Sequence, residues 1–423
     1  MNAEQPLWIP SEEAAAASNM TGFIRYLSRH YGAHMADALD LHAFSTRVPE
    51  VFWPALWSFC GVRGEMGPPP YIIDRDKMPG AKFFPHARLN FAENMLARPN
   101  QSKAIVFWSE DKVKREVGWD ELKALVSRLQ QFLAASGVGV GDRVAGMLPN
   151  TPEALAAMLA VASVGAIWSS CSPDFGVQGA LDRFGQIAPK IFFAGDGYYY
   201  NGKEIRIAEK VRDIAAALPG EPLTVIAPLI GQAEEAAATA GRAVTLEAAI
   251  APYTAGEIVY QRLPFDHPLY ILFSSGTTGV PKCIVHSAGG MLLQHLKEHQ
   301  LHCDIKPGDR VFYFTTLGWM MWNWLVSALA SGATLLLYDG SPFHPGPAIL
   351  FDLADAEGMT LFGTSAKYID ALKKAEMRPR DTHKLTSVRL MTSTGSPLVP
   401  EGFDYVYDAI KPDIHLASVS GGT

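Results

Sequence analysis

Leu269-Tyr270-Ile271-Leu272-Phe273 runs straight into Ser274-Ser275-Gly276-Thr277-Thr278-Gly279-Val280-Pro281-Lys282. The five apolar residues predict a buried strand. Next comes a loop of hydroxyls and glycines that ends in a lysine. Glycine admits φ > 0 and lets a ligand approach the backbone. Hydroxyl and backbone N–H groups donate to phosphate oxygens, and Lys282 adds a positive charge. The stretch therefore suits a triphosphate. It is not a Walker A loop, which needs Gly before the Lys and Ser or Thr after it. Here Pro281 precedes Lys282 and Cys283 follows. A plain solvated hairpin turn is the alternative.

The sequence around this loop repeats. Gly141-Asp142-Arg143-Val144 returns as Gly308-Asp309-Arg310-Val311, an offset of 308 − 141 = 167. Val164-Gly165-Ala166 returns as Ser331-Gly332-Ala333 at the same offset. A helical pattern precedes each copy, at 120–135 and 290–302. Each copy continues as strand, turn, apolar helix, Gly and strand, ending in Ser172-Pro173 or Ser341-Pro342. Helix and apolar strand in alternation is the grammar of a parallel sheet. The fold expected is α/β, with two similar doubly wound halves at 96–260 and 261–423. Residues 1–95, dense in aromatics, form a helical lead. The Ala-rich stretch 231–251 is expected to be surface helix. Ligands of such sheets sit at the carboxyl ends of strands, where the loop after Phe273 belongs.

Composition narrows the class. Apolar residues are 48% and charged residues 19% of 423, as in a globular enzyme. The net charge of −7 and the lack of basic runs argue against nucleic acid. Cys60, Cys171, Cys283 and Cys303 are widely spaced, which favours reduced thiols and a cytoplasmic setting. Met1-Asn2-Ala3-Glu4-Gln5 has neither the basic nor the apolar region of a signal peptide. Two uncharged stretches, 154–173 and 319–338, reach membrane-spanning length. Each holds a Gly-Ala break and is read instead as a buried helix followed by a buried strand. No membrane partner is expected, and the oligomeric state is left open.

The nine-residue loop resembles the phosphate-binding signature of the adenylate-forming enzymes. Thr394-Gly395-Ser396-Pro397 resembles that family's adenine loop, although local sequence alone fits a turn and Ser396 stands where Glu is common. Ser420-Gly421-Gly422-Thr423 is similar to the start of the motif whose Thr meets the α-phosphate. Pro6-Leu7-Trp8-Ile9-Pro10-Ser11, Ser18-Asn19-Met20-Thr21 and Pro49-Glu50-Val51-Phe52-Trp53 resemble the acetoacetate–CoA ligase branch. The resemblance implies ATP, Mg²⁺ and coenzyme A as co-substrates. It implies ATP contacts from Ser274, Ser275, Gly276, Thr277, Thr278, Gly279, Lys282, Gly395, Ser396, Pro397 and Thr423, with Thr423 and Lys282 in the catalytic role. The sequence stops at Thr423 inside that motif. A small C-terminal lid domain, with the family's adenylation lysine and a Mg²⁺-binding acid, is expected to lie outside it.

Three further readings stay open. Trp319, Met320 and Met321 are similar to the acyl-pocket segment of acetyl-CoA synthetases, and are otherwise plain core. The acetyl enzymes tend to carry a small residue where Met321 falls, so the pocket here is expected to differ from theirs; another short acid such as acetate, propionate or butyrate remains the alternative to acetoacetate. Arg183 matches a coenzyme A contact and is otherwise a solvated helix arginine. His295-Leu296-Lys297-Glu298-His299 spells His-x-x-Glu-His, a zinc-peptidase pattern with His302 one turn on. No metal site is expected, since that helix is the second copy of a repeated structural element.

Overall fold

The computed structural model describes residues 6–97, 99, 103–274 and 279–423. Two seven-stranded sheets carry the chain. The first has the spatial order Ala243–Thr245, Leu223–Ala227, Ile191–Gly195, Arg143–Met147, Ile167–Cys171, Pro268–Ser274, Lys282–Ser287. The second runs His415–Ser418, Leu390–Thr394, Leu361–Ser365, Arg310–Tyr313, Thr334–Asp339, Ile105–Ser109, Val113–Val117. In each sheet all neighbours are parallel except the last pair, an antiparallel hairpin.

The two sheets thus share one topology, and the repeat reaches single hydrogen bonds. The N–H of Gly141 donates to the Gly165 carbonyl at 2.9 Å, and that of Gly308 to Gly332 at 2.9 Å. Asp142 accepts the N–H of Gly139 at 2.9 Å; Asp309 accepts that of Lys306 at 2.7 Å. Gly165 (φ 77°) and Gly332 (φ 74°) both take the left-handed conformation that ends the preceding helical segment. The uncharged stretches resolve as read. Helix Pro152–Ser163 precedes strand Ile167–Cys171; helix Met320–Ser327 and a 3₁₀ turn precede strand Thr334–Asp339. Among the described residues no helix is long and apolar enough to cross a membrane.

Sheet membership departs from the expected contiguous halves. The hairpin 105–117 lies in the sheet of 310–418, and the hairpin 268–287 closes the sheet of 143–245. Each hairpin leads by a helix, Trp119–Ala135 or Ala288–Leu296, into the opposite sheet. Local periodicity marks a hairpin but not the sheet that receives it. A second correction concerns 231–251. Gly241, at φ 83°, ends helix Ala233–Ala240, and Ala243–Thr245 becomes the edge strand of the first sheet before helix Leu246–Ile250.

The N-terminal lead is helical over Glu12–Ala17, Asn19–Tyr31, Ala38–Arg47 and Pro49–Phe59. Its aromatics join the main core, with Phe23 and Phe52 edge to face at 5.6 Å. Ser11 and Ser18 cap the first two helices through their hydroxyls.

Candidate nucleotide and acid site

The strand Pro268–Ser274 is buried because Leu269, Tyr270 and Leu272 pack into the main core. It delivers the loop at its carboxyl end. Ser274 pairs with Lys282 across the hairpin, so the described ends of the segment lie side by side at a strand end. Ser275, Gly276, Thr277 and Thr278 lie outside the described residues. Gly279 has φ 148°, Val280 is 60% exposed and the Lys282 side chain is exposed. Behind the loop, Gln186 donates to the Pro281 carbonyl at 2.8 Å. Arg183 lies 4.5 Å over the Phe175 ring and 5.9 Å from the ring of Phe273, beside Ser274. Its guanidinium also donates to the Gly179 carbonyl at 2.7 Å. Arg183 is therefore a stacked, half-buried arginine at the loop's base and not a solvated one.

Gly395 (φ 88°), Ser396 and Pro397 follow the strand Leu390–Thr394. The stretch 420–423 follows the adjacent strand His415–Ser418 and is exposed. The two are tied at their base. The Thr394 hydroxyl donates to the Val419 carbonyl at 2.8 Å, and the Val419 N–H to the Ser393 carbonyl at 2.7 Å. Among the described residues no hydrogen bond joins Lys282 to residues 395–397 or to Thr423.

The carboxyl ends of the two sheets meet. Ser170, in the first sheet, donates to the Leu317 carbonyl at 2.8 Å. Gly318 sits against Cys171, Ser172 and Phe175; a Cβ there would lie 3.6 Å from the Cys171 backbone. The segment after Gly318 therefore starts at this junction. Trp319 is 55% exposed, Met320 and Met321 are half-buried, and Trp322 is buried. Sequence reasoning missed Asn150, Asp339 and Glu110. Asn150 donates its N–H to the Asp339 carboxylate at 2.8 Å and accepts from Trp322 Nε1 at 2.9 Å. Burial pushes the Asp339 carboxyl up to about 7. Nearby Glu110 and Asp174 add to the rise, while the Asn150 N–H opposes it. Glu110, fully buried, accepts the N–H groups of Asn201, Gly202 and Ser341 at 2.6, 2.8 and 2.8 Å. No local pattern announces such contacts, because both partners are distant in sequence.

Glu110, Asp111 and His344 could in principle gather on a cation, since their ligand atoms lie within 4.8 Å of one another. Three backbone donors already occupy the Glu110 oxygens, so Glu110 braces the second sheet against the turn of the hairpin 197–206. The zinc pattern fares no better. His295 meets the Ser327 hydroxyl at 2.8 Å, and His299 meets that hydroxyl and the Trp324 carbonyl at 2.9 Å. Glu298 accepts from Trp324 Nε1 at 2.8 Å. Both histidines are buried, and burial holds His299 down to about 3. They are neutral core residues bonded to the neighbouring helix.

A family model described as AMP-binding enzyme matches residues 91–417. The chain belongs to the AMP-binding enzyme family. It is similar over its whole length, at 60% identity, to the acetoacetyl-coenzyme A synthetase of Rhizobium meliloti (strain 1021), and covers 65% of that protein. It is 39% identical over 447 residues to the malonamoyl-CoA synthetase of Penicillium aethiopicum, covering 61% of it. Among solved structures it resembles the acetoacetyl-CoA synthetase from Streptomyces lividans, with a TM-score of 0.92 and 42% identity. That match covers 99% of this chain and 65% of the other. The chain thus spans about two thirds of the length of these relatives.

Proposed function

We propose that this chain is the substrate-binding part of an ATP-dependent acid–CoA ligase that activates acetoacetate. The observation that carries the reading is the placement of the candidate loops. The loop 274–282 and the stretches 395–397 and 420–423 all leave the carboxyl ends of strands, in two sheets whose carboxyl ends meet. Ligands of open α/β sheets occupy such a crevice.

In the first half-reaction an acetoacetate carboxylate oxygen attacks the α-phosphorus of MgATP. The bond to the bridging oxygen breaks, and pyrophosphate leaves as acetoacetyl-AMP forms. In the second, the coenzyme A thiolate attacks the acyl carbon and AMP departs with the bonding pair. Neither step needs strong acid–base catalysis. Positioning and stabilisation of spreading negative charge carry the rate. Lys282 and the loop hydroxyls would hold the β- and γ-phosphates, and Thr423 the α-phosphate. Ser396 and its neighbours would flank adenine, and Arg183 would serve the coenzyme A nucleotide.

Trp319, Met320 and Met321 would wall the acid pocket. Acetoacetyl and malonamoyl groups share a carbonyl β to the activated carboxyl, with CH₃ in one where the other has NH₂. A pocket shaped for that planar end separates these acids from acetate, propionate and butyrate. Pyrophosphate release from ATP across an acid panel tests the reading. Acetoacetate should head the series; equal or faster release with butyrate would reassign the acid.

A further inference from the structure

Two N-terminal stretches singled out in the sequence, 6–11 and 18–21, have no part in the chemistry above. The first reaches a strand that carries a candidate nucleotide stretch directly, and the second reaches it through the turn at Asp304 and Ile305. Trp8 stacks on His415 with ring centroids 4.3 Å apart and planes 5° from parallel. His415 opens the strand His415–Ser418, an edge of its sheet with only one strand neighbour. Asn19 donates its N–H to the Asp304 carboxylate at 2.8 Å and its amide to the Ile305 carbonyl at 3.1 Å. Lys306 adds a bond to the Ala17 carbonyl at 3.2 Å. Arg389, just before the strand Leu390–Thr394, donates to the carbonyls of Cys303 and Asp304 at 3.0 and 2.9 Å. The His415 N–H then donates to the Arg389 carbonyl at 3.2 Å. The circuit runs from the N-terminal segment through Asp304, Arg389 and His415 and returns to the N-terminal segment at Trp8.

Its geometry has a direction. The grip falls on the amino ends of both strands, at Arg389 and His415. The carboxyl ends of the same strands lead into 395–397 and 420–423. An edge strand paired on one side alone has few bonds to fix its position, and an aromatic stack supplies an anchor on its open side. We propose that Trp8 is a positioning residue for nucleotide binding: stacked on His415, it fixes the edge strand and so the placement of 420–423. The inference rests on the nucleotide reading of that stretch.

The test uses the whole chain in two readouts, MgATP affinity by calorimetry and amide hydrogen exchange over 415–419. Trp8→Ala should raise the ATP Kd about three- to tenfold, the scale of one aromatic pair, and speed exchange at those amides. Trp8→Phe should restore both. His415→Ala should reproduce the effect and add little to Trp8→Ala. Leu7→Ala, at a neighbour 61% exposed, should change neither. Unaltered exchange over 415–419 in Trp8→Ala would overturn the proposal, as would faster exchange with unaltered ATP affinity. If the unsubstituted chain bound no ATP, the nucleotide reading itself would fail, while the exchange arm would still decide whether the stack holds the strand.

Discussion

Asn150 and Asp339 join the two sheets at their carboxyl ends: the Asn150 N–H donates to the Asp339 carboxylate at 2.8 Å. The same asparagine gives its amide to the Tyr338 carbonyl at 3.3 Å and accepts from Trp322 at 2.9 Å. One side chain thus fixes the end of a second-sheet strand and the helix that follows Trp319. Asn150→Ala should cost about 1–3 kcal/mol, because it strands the buried Trp322 N–H without an acceptor. Urea unfolding checks this; a loss under about 0.5 kcal/mol would mean the junction does not depend on Asn150.

Asp339 makes stability depend on pH. Its folded pKa, about 7, lies above the ordinary 3.8. Between those values the folded chain holds the proton more tightly than the unfolded one. Stability should therefore fall as pH rises from about 4 to about 7 and change no further from this group above that. Asp339→Asn keeps an oxygen for the Asn150 N–H and removes the titration. It should be the more stable protein above pH 7, by on the order of a few kcal/mol. Parallel urea midpoints for the two proteins from pH 4.5 to 8 would exclude this role.

The repeat predicts paired costs. Gly165 and Gly332 hold φ of 77° and 74° in equivalent turns. A Cβ would lie 3.1 Å from Leu263 in one and 3.2 Å from Pro307 in the other. Gly165→Ala and Gly332→Ala should each destabilise by about 1 kcal/mol or more. Denaturant midpoints give the comparison, and a free substitution at either site would show the turns are not equivalent.

Much of the fold was legible in the sequence. The Gly-Asp-Arg-Val copies and the Gly-Ala breaks fixed strand and helix order, because turns with φ > 0 and apolar periods are local properties. The exchange of hairpins was not legible: the apolar pattern of 105–109 fits either sheet. Nor were Asn150, Asp339 and Glu110. Asn150-Thr151-Pro152 reads locally as a helix start, and Thr151 does cap that helix; the asparagine's partners lie more than 150 residues away. The histidines of 295–299 show the limit of a pattern alone, since a ligand pair and a buried hydrogen-bonded pair share the same i, i+4 spacing.

Lys282 separates a phosphate loop from an ordinary turn. Its side chain is exposed at the start of a strand, so Lys282→Ala should leave the thermal midpoint unchanged. If it meets phosphate, MgATP affinity should fall roughly 10- to 100-fold, the range of a charge-assisted hydrogen bond. Calorimetric affinities equal to those of the unsubstituted chain would leave residues 274–282 as a hairpin turn alone.

Nucleotide loops and acid pocket can be probed at once by equilibrium binding of a non-hydrolysable acetoacetyl-adenylate mimic to this chain, alongside AMP and the matching acetyl mimic. The experiment needs no turnover. Affinity should fall in the order acetoacetyl mimic, acetyl mimic, AMP, with at least about tenfold between first and last, since a reaction-intermediate analogue collects both sets of contacts. Binding of the acetoacetyl mimic no tighter than AMP would contradict an acid pocket beside the nucleotide, and absence of binding by all three would contradict the site itself.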